Sequence, residues 1–172
     1  TDITAAGALT ATLGDLTKGY GLFENVEEFD IDFLLMGSGS YATSTAQALA
    51  NKLIAVAELR KDAVAFISPN KSTFISGAGT DSATVASAAD ITNNVLEFYA
   101  PITSSTYAVL DSGYKYMFDR FGNTFRYIPL NGDIAGTCAR NDINNFPWFS
   151  PAGTARGAIL NAVKLGLYPS LT

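Results

Sequence analysis

The segment of this chain best suited to chemistry is Gly37-Ser38-Gly39-Ser40-Tyr41-Ala42, a G-x-G-x-x-A spacing between an apolar run and a helical pattern. In a dinucleotide-binding fold such glycines let the backbone approach a pyrophosphate at a helix N-terminus. The same fingerprint wants an acid at the end of the second strand to hold the ribose hydroxyls, and here that strand ends in Ser68-Pro69-Asn70. A tight strand-to-helix turn explains the glycines as well. No G-x-x-x-x-G-K-[ST] is present, which excludes a P-loop. Histidine is absent, which removes Ser-His-Asp and Cys-His nucleophile pairs, His-based zinc sites and the commonest general base near neutral pH. A zinc site would have to be built from carboxylates around the lone Cys138, which suits zinc poorly. Glu27/Glu28 and Asp30/Asp32 are close in sequence, but neighbours on a helix do not face one another, and no 12-residue calcium loop surrounds them. The expectation is therefore no catalytic, cofactor-binding or metal-binding residues. The nucleotide-binding turn at Gly37–Ala42 is kept as the alternative.

Charge narrows the partners. The net charge is −5 and no Lys/Arg-rich run occurs, so binding to nucleic acid through phosphate neutralisation is not expected. Nor does any apolar stretch approach the roughly 20 residues that span a bilayer, so no membrane partner is expected. Thr1 to Asp32 carries seven acids against one base, a net of −6, and the remaining nine acids and ten bases leave +1. Such an asymmetry suits either a solvated acidic face or one half of a complementary subunit contact. A single cysteine rules out an internal disulfide, and Cys138 reads as an inert core thiol.

The elements that must hold these residues follow from periodicity. Residues 1–12 read as an arm or linker, and Leu22, Val26 and Phe29 suggest a short acidic helix over Tyr20–Glu28. Ile31–Met36 and Ala63–Ile67 are compact apolar runs that read as buried strands, with a third at Tyr107–Leu110. Between them lie a helix to about Arg60, capped by Thr43 or Ser44, and a second helix starting at Asp81 or Ser82 after a Gly-rich loop at Ser76–Thr80. The first would turn Ala46, Leu49, Leu53, Val56 and Ala57 inward, and the second Val85, Ala88, Ala89, Val95, Leu96 and Tyr99. Alternating strand and helix implies a parallel sheet with right-handed crossovers. Tyr114–Asp119 and Thr124–Ile128 read as a hairpin. Asp133–Asn144 reads as a helix with Ile134, Cys138 and Ile143 inward, and Ala158–Leu167 as strand or helix. Trp148, held between Pro147 and Pro151, is expected to be a buried anchor between the hairpin and the main sheet. The fold class is thus α/β: a parallel-sheet core with covering helices plus a β-hairpin. Residues 1–30 are expected to form an N-terminal arm and short acidic helix, and residues 31–172 the core domain.

Asp111-Ser112-Gly113-Tyr114, the hairpin after it, and above all Pro147-Trp148-Phe149-Ser150-Pro151-Ala152-Gly153 followed by Gly157 resemble the tail sheath proteins of contractile-tailed bacteriophages. The resemblance looks closest to the sheath of T4-like myophages and extends back through Phe66-Ile67-Ser68-Pro69 and Ile31–Gly37 to about Val26. It implies a virion structural subunit, assembled in the host cytoplasm, that stacks as hexameric rings and contracts during infection. Neighbouring sheath subunits, the tail tube protein, and the baseplate and tail terminator proteins would be its partners. A related contractile injection machine would share this mechanism. The family core has been likened to subtilisin, but a protease role does not carry over to a chain without histidine. The chain is shorter than a full sheath subunit, and an incomplete core without its terminal assembly segment is expected.

Overall fold

The computed structural model describes residues 11–37, 40–76, 84–85 and 87–165. Helix α1 (Leu13–Gly21) continues into a 3-10 turn at Leu22–Glu24. Its start is set by a capping box: the Thr12 hydroxyl accepts from the Asp15 amide at 3.2 Å, and the Thr12 amide donates to the Asp15 carboxylate at 2.9 Å. The expected helix over Tyr20–Glu28 therefore lies one element earlier. Tyr20 and Phe23 turn inward, whereas Leu22 and Val26 are 61% and 49% exposed.

Strands β1 (Phe33–Leu35), β2 (Val64–Ile67) and β5 (Ala108–Leu110) form a parallel sheet in the order β1-β2-β5. Leu34 lies opposite Ala65, and Phe66 opposite Val109. The middle strand is the most deeply buried, as its unbroken apolar run requires. Helix α2 (Thr43–Arg60) links β1 to β2 and turns Ala46, Leu49, Leu53, Val56 and Ala57 inward as expected, joined by Ala50 and Ile54. Ala42, whose methyl group cannot accept a hydrogen bond, occupies the cap position expected for Thr43 or Ser44. A second link contains a 3-10 turn (Lys71–Thr73), the short antiparallel pair β3 (Ile75–Ser76) and β4 (Thr84–Val85), and helix α3 (Ala88–Tyr99).

Helix α3 starts later than expected. Ser87 caps it by accepting from the Asp90 amide, Val85 belongs to a strand, and Asp81 and Ser82 lie outside the described residues. Val95 and Tyr99 pack inward as expected. Ile91 and Phe98, seven residues apart, are buried, while Leu96 is exposed. Helices α2 and α3 lie together, with the Gln47 side chain donating to the Phe98 carbonyl at 3.0 Å.

The hairpin pairs β6 (Tyr114–Asp119) with β7 (Thr124–Pro129), and β8 (Lys164–Leu165) adds to the other edge of β6. Asn123, at φ 48°, takes the left-handed turn position, and Gly122 does not. A smaller core of Phe74, Ile91, Tyr114 and Tyr127 joins the hairpin to α3. Helix α4 (Asn131–Asn144) begins two residues earlier than expected and lies against β1 and β2. Its buried positions are Asn131, Ala135, Thr137 and Asn141, so the inward face is mostly polar. Ile134 and Cys138 are only half-buried and Ile143 is 83% exposed, contrary to the apolar face expected. Of Ala158–Leu167, the described part is turn and irregular chain apart from β8.

Candidate functional site

The carboxyl ends of parallel strands are where open α/β sheets bind ligands. Gly37, which follows β1 with φ +74°, sits at this edge. Ser38 and Gly39 lie outside the described residues. The place beside the Gly37 carbonyl is taken by protein: the Asn131 side chain donates to it at 3.1 Å. The Asn131 amide and side chain also donate to the Ser68 hydroxyl at 2.9 and 3.1 Å. Ser68 in turn donates to the Asp111 carboxylate at 2.5 Å, and that carboxylate accepts from the Gly113 amide at 3.0 Å. The ends of β1, β2 and β5, the start of the hairpin and the first residue of α4 are thus tied into one buried polar clasp.

Two tyrosines complete it. Tyr99 reaches from α3 to the Ile67 and Asp111 carbonyls at 3.1 and 2.5 Å, and Tyr114 donates to the Pro69 carbonyl at 2.8 Å. Asn70, also buried, donates to Thr43 at 3.1 Å and so binds the β2 end to the start of α2. Burial pushes the Asp111 carboxyl up to about 6, against the lowering effect of its bonds from Ser68 and Gly113; nearby Asp133 adds to the rise. Burial also raises the Tyr99 and Tyr114 hydroxyls far above their ordinary value.

The clasp ties three strand ends, the hairpin and α4 together. Ser68 is 1% exposed and faces a carboxylate with no imidazole beside it, so it has neither an activating base nor access to substrate. The cleft next to it, about 620 Å³, is lined by Gly37, Ser40, Lys71, Lys115, Arg126 and Asn131, so the described ends of the Gly37–Ala42 turn border it. Lys115 is committed to Asp133 at 2.7 Å and to the Leu160 carbonyl. Among the described residues, no group of three or more His, Cys, Asp or Glu is placed to hold a metal ion. No helix there is long and apolar enough to cross a membrane. Cys138 is half-buried, and burial followed by the charge of Asp142 raises its thiol above the ordinary value.

The segment after α4 differs in kind. Trp148, expected to be buried, is 77% exposed, and Phe146 is 55% exposed. Their rings stack at 4.8 Å and 5°, and Phe149 stacks on Phe146 at 6.0 Å. The Asn141 side chain, donating to the Phe149 carbonyl at 2.8 Å, anchors the segment to the helix. Because the inward face of α4 is polar, no apolar pocket forms there for the indole. The prolines do stiffen this segment, but they hold the ring outward. No linear signal marks the clasp, because Ser68, Asp111 and Asn131 are far apart in the chain. The prolines and aromatics of the Phe146–Phe149 segment do mark it in the sequence, but they do not tell which way its rings face.

The W-x-S-P-A-G segment is therefore displayed on an α/β core, and the similarity of nearly the whole chain to known proteins identifies that core. The chain is 31% identical to the tail sheath protein of Enterobacteria phage T4 across 96% of its length. The chain is homologous to phage tail sheath proteins. It is also 40% identical to the tail sheath protein of Vibrio phage KVP40 over 65% of the chain, and 29% identical to that of Salmonella phage ViI over 63%. The matched segments span 26%, 17% and 16% of these relatives, so the chain corresponds to about a quarter of a sheath protein's length or less. No family model matches the chain.

Proposed function

We propose that this chain is part of a structural subunit of a contractile phage tail sheath, a virion component that assembles with further copies around the tail tube and contracts during infection. The observation that carries the reading is the sequence match to the T4 tail sheath protein across nearly the whole chain. The structure supports a scaffold role. Beside Gly37 the Asn131 side chain takes up the carbonyl that ends β1, so this edge is tied into the core. A core tied together by the Ser68–Asp111–Asn131 clasp suits a subunit that moves as a rigid body while its contacts change.

In this proposal the chain has no catalytic, cofactor or metal residues. The domain boundary near residue 30 separates an acidic N-terminal region, which α1 joins to the sheet, from the core domain. Its partners are neighbouring subunits in stacked hexameric rings, the tube, and the baseplate and terminator proteins. Negative-stain microscopy of the full-length protein tests the reading directly, with regular tubes of subunit rings as the expected result. A protein that stays monomeric at high concentration and is stabilised by a dinucleotide would replace it with the nucleotide-binding alternative at Gly37–Ala42.

A further inference from the structure

Two exposed patches have complementary character. The first is the knuckle Phe146–Phe149, a stacked aromatic platform at the end of α4. Apolar surfaces of this kind, built from residue types that dominate interface energetics, mark contact sites. Its rim is basic. The Arg156 guanidinium lies over the Phe149 ring at 5.3 Å, and its Nε–H is buried without an acceptor. Arg140 donates to the Arg156 and Ala158 carbonyls at 2.9 and 3.1 Å, bracing the strand of chain that carries Arg156. Asp142, on the same helix, is the nearest acid in sequence.

The second patch is the corner after α1. Leu22 and Val26 are exposed there among the exposed acids Glu24, Glu27, Glu28 and Asp30. The corner is rigid because Arg60, its side chain fully buried, reaches up from α2. Arg60 donates to the Phe23 and Phe29 carbonyls, each at 2.8 Å, while Asp62 binds the same guanidinium at 2.9 and 3.0 Å. An interface half that is already ordered loses little entropy on association.

We infer that the aromatic knuckle with Arg156 receives the acidic α1 corner of a second copy of this chain. Val26 and Leu22 of one copy cover Trp148 and Phe146 of the next, and Glu27 and Glu28 meet the Arg156 guanidinium. The two patches belong to different elements of one subunit, so the contact is heterologous. It leaves one free patch of each kind at the ends of any pair and therefore propagates. That is the contact geometry a helical tube requires, and the inference rests on the sheath reading.

The test uses tubes of the full-length protein. Arg156→Glu alone, and Glu27→Arg with Glu28→Arg, are each expected to raise the concentration for half-maximal tube formation about tenfold. The triple variant carrying all three changes is expected to recover most of that loss. Wild-type protein that forms no tubes would sink the sheath reading itself. Wild-type tubes with variants that assemble normally, or a triple variant that recovers nothing, would overturn the contact alone. If a charge variant melts early, Val26→Cys with Trp148→Cys in a Cys138→Ser background decides instead. A disulfide ladder between copies in oxidised tubes is expected, and tubes without inter-copy disulfides would overturn the pairing.

Discussion

The two halves of this chain use aromatic residues in opposite ways. In the parallel-sheet half, Phe66, Phe74 and Phe98 are at most 2% exposed and sit against strands, helices or each other's neighbours. In the segment after α4, Phe146, Trp148 and Phe149 stack on one another and stay exposed to solvent. The difference lies in what each half has beneath its rings. The sheet offers α2, with seven buried apolar side chains, whereas α4 offers Asn131, Thr137 and Asn141. A helix whose inward face is already spent on hydrogen bonds does not also build an apolar pocket, and the bulky rings nearby stay exposed.

The largest effect should come from emptying the first half. Phe66 lies on the central strand and meets Phe33 edge-on at 5.1 Å. Phe66→Ala should cost about 3–5 kcal/mol by chemical denaturation, the usual range for a buried phenylalanine. A loss near zero would mean that this half is not the stable core.

Next in size is the pH dependence of the clasp. An unfolded aspartate titrates near 3.9, whereas Asp111 is pushed up to about 6 in the folded chain. Below about pH 4 both states hold the proton and burial carries no charge penalty. As pH rises from about 4 to 6 the unfolded state ionises first, so stability falls, and above about 6 the penalty is constant at about 3 kcal/mol. Asp111→Asn removes this titration, so the stability difference between variant and parent should drift by that amount between pH 4 and 7, in the variant's favour. Parallel pH profiles would contradict the raised carboxyl. Asp133, whose charge adds to the rise, is itself paired with Lys115 at 2.7 Å.

The second half should respond far less in the isolated chain. Trp148→Ala removes an exposed ring and one stacking partner, and should cost about 1 kcal/mol or less. A loss of several kcal/mol would place Trp148 in the core. Smaller still is the acidic corner. Glu24 pairs with Lys52 at the surface, and replacing Glu24, Glu27 and Glu28 together with Gln should shift stability by under about 1 kcal/mol. The same change should alter the salt dependence of assembly in the full-length protein, and unfolding of the chain would show the corner to be structural.

The same contrast separates what was legible in the sequence from what was not. Unbroken apolar runs such as Ala63–Ile67, and the spacing of Leu49, Leu53 and Val56, have a strong period because tertiary contacts repeat it, so the parallel sheet, α2 and the hairpin follow from pattern. Helix α1 escaped because its signal is a capping box, Thr12 with Asp15, inside a stretch of small residues. The face of α4 escaped because periodicity counts apolar residues, and here Asn131 and Asn141 do the inward work. The clasp joins Ser68, Asp111 and Asn131 across 63 positions, and only the fold brings them together. Trp148 was misplaced for a related reason: proline stiffness reports that a ring is held, and burial depends on what lies beneath it.

Trp148 is the only tryptophan of the chain, so its fluorescence tests the contrast between the halves most directly. Emission from the isolated monomer should be red-shifted and quenched by acrylamide nearly as freely as a model indole, because the Trp148 ring is 77% exposed. Blue-shifted emission protected from the quencher would contradict the account and return Trp148 to the core.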